Sequence, residues 1–289
     1  MKFRQLFIIF SMLLAISACA SFRGSELELD YSSVHTGTKN RSIDYGVYTP
    51  PGWTSEERLP LVLYLHGGGD SHKSFEKFGA NKVLDQDMLN GTIPRAILVS
   101  PNGDLGFWEN WADGSRHYRD WVMRSVLPKV QSDYNTLACP EHCHLLGISM
   151  GGHGAMRFAL FEKDTFSNIS VLSAAIISNE QHERAKVSWF IKLIFPLRRI
   201  FGEDYRARHS RDNFYNSWPS RPHLRNMPLQ LIWGDNDNPR IRQANESFHK
   251  ALLDAGIEHD HFVYEGRHKW VSWLPQLNKA MNFLLAPKE

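Results

Sequence analysis

The feature that most restricts this chain is a series of short apolar runs that do not alternate with polar residues and that end in glycines or acids. LPLVLYLHGGG (59–69), RAILVSPNG (95–103), CHLLGIS (143–149), SNISVLSAA (167–175) and PLQLIWGDND (228–237) share this form, and HDHFVYEGRH (259–268) is a weaker copy. Short runs without alternation suit strands buried on both faces of a parallel sheet. Between them lie stretches with helical spacing at 120–134, 152–162, 241–255 and 270–285, the third stopped by Gly256. SIDYGVYTP (42–50) differs, because Ile43, Tyr45 and Val47 alternate as in a half-exposed strand. Strands alternating with helices predict a doubly wound α/β sheet. Its ligand site should lie beyond the carboxyl ends of the strands, where the glycines and acids fall.

One run carries chemistry. HLLGISMGGHGA (144–155) sets Ser149 in G-x-S-x-G, between an apolar run and a helical segment. The pattern reads as strand, tight turn and helix, with the serine at the turn. A serine hydroxyl is a poor nucleophile at neutral pH and needs a base, which in turn needs an orienting acid. Two downstream strand ends supply them: Asp237 in GDND and His268 in EGRHKW. The chain order Ser149, Asp237, His268 is the one that accompanies this serine motif. Asp235, nearer the strand end, is the rival acid. Acyl transfer also needs fixed N–H groups facing the oxyanion. HGGGD (66–70) offers the N–H of Gly68, with Gly67 and Gly69 as near rivals, and the residue after the nucleophile offers that of Met150. His153, four residues past the serine, faces along the helix and reads as structural.

Other chemistries find no support. There is no G-x-x-x-x-G-K-[ST], and HGGG lacks the G-x-G-x-x-G spacing, so no cofactor is expected. Formal charge is 33 − 31 = +2 over 289 residues, which points to no nucleic-acid partner. Of three cysteines, Cys139 and Cys143 are expected to form a local disulfide in CPEHC; a metal site with His142 and His144 is the rival, and no metal is expected.

Residues 1–20 carry Lys2, Arg4, an apolar core at 6–16 and then small residues, the layout of an export signal. The core is shorter than the roughly 20 residues a membrane-spanning helix needs. Ala18-Cys19-Ala20 fits ordinary cleavage, whereas Ile16-Ser17-Ala18-Cys19 fits a bacterial lipobox in which Cys19 is lipidated. The expectation is export to the periplasm or outer membrane, with membrane contact through the lipid if Cys19 is acylated. Residues 21–40 read as an extended lead-in, and 41–289 as one domain.

LVLYLHGGG, NGDLGFWENWADG, DWVMRSVLPKVQSDY, HLLGISMGGHGAMRFAL, IWGDNDNP and YEGRHKWVSW together resemble one esterase family of the α/β-hydrolases. That family includes esterase D (S-formylglutathione hydrolase), feruloyl, acetylxylan and siderophore esterases, and mycolyltransferases. The likeness runs over about residues 45–280. It implies an α/β-hydrolase fold with a small helical cap insertion at about 180–220, and Ser149, His268 and Asp237 as nucleophile, base and acid. Trp108 and Trp111 should lie over the pocket, either stacking on an aromatic or sugar group or packing their own loop. VSWFIKLIFPLRRIF (187–201) should cover the pocket and shape an apolar acyl site, with contact to an anionic lipid surface and plain packing as rivals. The implied activity is a serine carboxylesterase acting on small or medium acyl esters of a small molecule or glycan. The alternative is an acyltransferase that passes the acyl group to a sugar or lipid. Nothing in the sequence sets an oligomeric state.

Overall fold

A computed structural model describes residues 22–29, 41–176, 195–202 and 213–286. Residues 1–20, read above as an export signal and including Cys19, residues 30–40 of the lead-in and most of the 180–220 region lie outside the described residues.

The apolar runs become strands. The sheet comprises β1 (Phe22–Leu29), β2 (Arg41–Tyr48), β3 (Leu61–Leu65), β4 (Ile97–Pro101), β5 (Cys143–Ile148), β6 (Asn168–Leu172), β7 (Leu229–Gly234) and β8 (Asp260–Tyr264). Their spatial order is β1-β2-β4-β3-β5-β6-β7-β8. β2 pairs antiparallel with β1 and β4, and every later pairing is parallel. β3 to β7 are buried along their whole length, which is why their runs do not alternate. β8 lies at the edge and exposes most of its residues, so its run reads more weakly.

Helices cover both faces. Along the chain they are α1 (Ser74–Lys77), α2 (Ala80–Leu89), α3 (Tyr118–Trp121), α4 (Leu127–Asp133), α5 (Met150–Phe161), α6 (Leu197–Phe201), α7 (Phe214–Ser220), α8 (Pro222–Arg225), α9 (Pro239–Asp254), α10 (Trp270–Trp273) and α11 (Leu277–Leu285). One core packs Trp121, Val130, Phe158 and Phe248 against the sheet, so α3, α4, α5 and α9 share a face. The other packs Phe75, Leu84, Trp270 and Met281, so α1, α2, α10 and α11 share the opposite one. The helix expected over 120–134 is interrupted by a π-helical turn at Val122–Val126. A disulfide joins Cys139 to Cys143, the first residue of β5.

The two layers meet most closely beside Ser149. A Cβ on Gly151 would lie 1.8 Å from the Leu65 carbonyl oxygen, one on Gly147 would lie 2.3 Å from the Gly151 oxygen, and one on Gly152 would lie 2.7 Å from Ala174 Cβ. The glycines therefore let α5 sit directly on the ends of β3, β5 and β6. Gly151→Ala is expected to lower stability by more than about 3 kcal/mol or to prevent folding, because backbone rather than a side-chain tip must move. Gly91→Ala is the control: Gly91 has φ +68 with open space around it, so only about 1 kcal/mol of strain is expected. Urea unfolding of the two variants measures the difference.

Candidate active site

Ser149 follows the last residue of β5 and has φ 56°, ψ −115°, a backbone conformation that non-glycine residues seldom adopt. Three hydrogen bonds hold it there. Its N–H donates to the Leu172 carbonyl at 2.9 Å, and its own carbonyl accepts from the N–H of Ala175 at 2.9 Å and of His153 at 3.2 Å. The end of β6 thus clamps the turn on one side and the first turn of α5 on the other.

Two later strand ends bring in the partners. His268 lies in the loop after β8, and its Nε2 is 2.8 Å from Ser149 Oγ. Its Nδ1 is 2.7 Å from Oδ1 of Asp237, in the loop after β7. A carboxylate oxygen only accepts, so Nδ1 donates, which leaves Nε2 free to accept the serine proton. The Asp237 side chain is fully buried, and Oδ1 also accepts from the Asn238 N–H at 2.6 Å. Asp235 is engaged elsewhere: its Oδ1 accepts from the Gly266 N–H at 3.0 Å and so ties the β7 loop to the loop carrying His268. Trp273 sets its ring edge-on to the His268 imidazole, with centroids 4.9 Å apart.

The glycine loop after β3 comes up beside Ser149, where a methyl group on Gly67 would lie 3.5 Å from Ser149 Cβ. A methyl group on Gly68 would lie 3.7 Å from Phe195 Cζ, 3.8 Å from Met150 Sδ and 3.9 Å from Leu105 Cδ2, so the two residues expected to supply the N–H donors are neighbours. Met150 opens α5, where helix N–H groups lack an intrahelical acceptor and carry partial positive charge. Trp270 Nε1 donates to Asp70 Oδ2 at 3.0 Å, tying the glycine loop to the helix that follows His268. Burial raises the Asp70 pKa, and this indole N–H partly offsets the rise.

His66 clamps the base of the same loop. Its Nδ1 donates to the Gly67 carbonyl at 2.9 Å, and its Nε2 accepts from the Gly103 N–H at 2.9 Å. Both nitrogens are used by the neutral ring, and burial pushes the pKa down to about 4. Trp108 completes the clamp by donating to the His66 carbonyl at 3.3 Å.

Of the two readings of Trp108 and Trp111, a stacking surface for a ligand and packing of their own loop, their burial supports the second. Trp108 is fully buried; a Cβ on Gly103 or Gly154 would lie 2.8 or 2.4 Å from it, so its ring fills the space those glycines leave. Trp111 is 9% exposed and packs with Tyr118 and Ile200, with the guanidinium groups of Arg116 and Arg199 over its ring at 5.7 and 5.0 Å. Both tryptophans hold their own loop. His153 is buried beside Glu109 at 3.7 Å and among Phe107, Phe201 and Phe214, a structural position. Burial alone would raise the Glu109 pKa, but Arg157, His153 and Arg119 outweigh it and keep the carboxylate charged.

The described end of the 187–201 run rests on this loop. The Ala112 N–H donates to the Ile200 carbonyl at 3.0 Å, Arg199 pairs with Asp113 at 2.8 Å, and Ile200 is buried. His66, Asp70, Leu105 and Trp270 went unassigned in the sequence, although HGGGD and GRHKW bracket three of them.

A family model described as “Putative esterase” matches residues 36–284. A curated esterase of Mycobacterium tuberculosis is 24% identical over 241 residues, covering 77% of this chain and 51% of that protein. The S-formylglutathione hydrolase of Arabidopsis thaliana is 27% identical over 152 residues, covering 46% of this chain and 51% of that protein. The chain thus spans about half the length of the curated relatives it matches. Among solved structures, a ferulic acid esterase superposes with TM-score 0.68 at 20% identity, over 92% of this chain and 97% of that one. The Staphylococcus aureus fluorophosphonate-binding serine hydrolase F superposes with TM-score 0.71 at 17% identity, over 92% and 99%. At these identities the likeness to the solved structures is one of fold, the α/β-hydrolase fold.

The His66 clamp has a pH signature. A histidine in an unfolded chain takes its proton near pH 6.5, but folded His66 stays neutral down to about 4. Its contribution to stability is therefore complete above pH 6.5 and lost as pH falls through 4, on the order of 3 kcal/mol in all. His66→Gln can donate and accept without titrating, and should flatten that part of the curve in denaturant unfolding between pH 7.5 and 4.

Proposed function

From the premise that this chain belongs to the “Putative esterase” family, we propose that it is a serine carboxylesterase acting on small or medium acyl esters. The observation that carries the reading is the single imidazole, His268, hydrogen-bonded to Ser149 at 2.8 Å and to Asp237 at 2.7 Å.

In this reading Ser149 Oγ adds to the ester carbonyl carbon while its proton passes to His268 Nε2. Asp237 stabilises the imidazolium that forms and holds the ring in its productive tautomer. The N–H groups of Gly68 and Met150 receive the charge that develops on the carbonyl oxygen. The C–O bond then breaks, and the alcohol leaves with the proton from Nε2. The acyl group remains on Ser149. A water molecule attacks this acyl-enzyme, giving its proton to Nε2, and the acid departs as that proton returns to Oγ. No cofactor enters any of these steps. The solved structure of one ferulic acid esterase with a similar fold holds ferulic acid, which supports an ester of a small molecule or glycan as the substrate class.

Ser149→Ala is expected to cut kcat on p-nitrophenyl acetate by about a million-fold, and Asp237→Asn by about ten-thousand-fold. A fluorophosphonate probe should label the parent at Ser149 alone. Activity that survives Ser149→Ala would overturn the reading. Adding sugar or lipid alcohols and analysing the products separates hydrolysis from acyl transfer.

We also propose that the chain is exported and lipidated at Cys19, on the pattern of residues 1–20. Metabolic palmitate labelling that is lost in Cys19→Ala is the expected result.

A further inference from the structure

We propose that Phe195 is a wall of the acyl site and that it disfavours long straight acyl chains. This inference rests on the esterase reading above.

Catalytic geometry divides the space around the ester. The departing oxygen must face His268, which returns the proton to it, so the alcohol lies on the His268 side. The carbonyl oxygen lies at Gly68 and Met150. The acyl chain then runs away from the imidazole, and the proposal places it along the loop after β4 and α6. On that side the residues touching the Gly68 face are apolar: Phe195, Met150 and Leu105, all within 3.9 Å of a methyl placed there. Phe195 is the nearest of the three, at 3.7 Å. Its ring stands beside the expected oxyanion donor Gly68, where in this proposal a long straight acyl chain meets it.

The ring is braced against yielding. Its edge meets Phe107 with centroids 5.4 Å apart, and Phe107 in turn meets Phe201 at 5.6 Å and His153 at 5.5 Å. Phe107 itself holds φ 54°, a strained setting for a bulky residue that persists only where packing imposes it. Behind the rings lies the buried Glu109 carboxylate with Arg157. The backbone carrying Phe195 is anchored through Ile200 and through the pair Arg199–Asp113 at 2.8 Å, away from Ser149 and His268. Substituting the ring therefore changes the room beside Gly68 without breaking the hydrogen bonds among Ser149, His268 and Asp237.

The test measures kcat/KM for p-nitrophenyl acetate, butanoate and octanoate in the parent, Phe195→Ala and Phe195→Trp. The octanoate-to-acetate ratio should rise about tenfold or more in Phe195→Ala, since several methylenes gain a site, and should fall in Phe195→Trp. A packing defect alone would lower all three substrates together and leave the ratio in place. If Phe195→Ala does not fold, Phe195→Leu replaces it and should raise the ratio by a smaller factor. Ratios within about twofold of the parent in both directions overturn the wall, provided fluorophosphonate still labels Ser149 at the parent's rate. Hydrolysis by the parent that survives Ser149→Ala overturns the esterase reading, and the wall with it.

Discussion

At Gly151 the helix that follows Ser149 presses against the carbonyl of Leu65, so closely that one added carbon would lie 1.8 Å from that oxygen. This contact joins two layers with no side chain between them, and the geometry of the site depends on it. It brings the start of α5 onto the end of β3, which sets the amide of Met150 beside the glycine loop that β3 leads into. Beside it the turn at Ser149 takes its positive-φ backbone setting, which the hydrogen bonds with Leu172, Ala175 and His153 keep. A strained residue held from both sides has little freedom, and a hydroxyl with little freedom is already oriented before a substrate arrives.

Around that contact the loops are tied to one another rather than left to solvent. His66 links the glycine loop to Gly103, Trp108 links both to α5 through Gly154, Asp70 reaches Trp270, and Asp235 reaches Gly266. Most of these ties use a neutral or half-buried polar group with every strong partner provided, which is the condition under which burial of polarity stabilises. They explain how four separate strand ends converge on one point. The parallel sheet delivers the ends to one edge, and the ties set the distances between them.

The parallel strands are legible in the sequence because burial on both faces removes alternation, leaving apolar runs that nothing else in a chain of this composition explains. β8 is harder to read for the same reason, since an edge strand is partly solvated. α2 escapes notice because its buried stripe is only Ala80, Leu84 and Met88, one residue per turn, with charged residues between. The sequence leaves Trp108 open between a ligand platform and loop packing because exposure is not a property of a tryptophan. It depends on whether Gly103, five positions before it, and Gly154, on α5, leave room for the ring inside. Asp70 and Trp270 stand in motifs that were read for other residues, and their pairing spans 200 positions.

What the sequence by itself determined is the set of chemical parts and their order: a serine among glycines at a strand end, then an acid, then a histidine, each after an apolar run. Local pattern suffices there, because strand ends and tight turns are written in neighbouring residues. Only the tertiary structure decided which aspartate faces the imidazole, that Trp108 and Trp111 pack their own loop, and which ring stands beside Gly68. Those outcomes turn on distances between residues far apart in the chain, and such distances follow from how layers pack rather than from any short stretch of sequence.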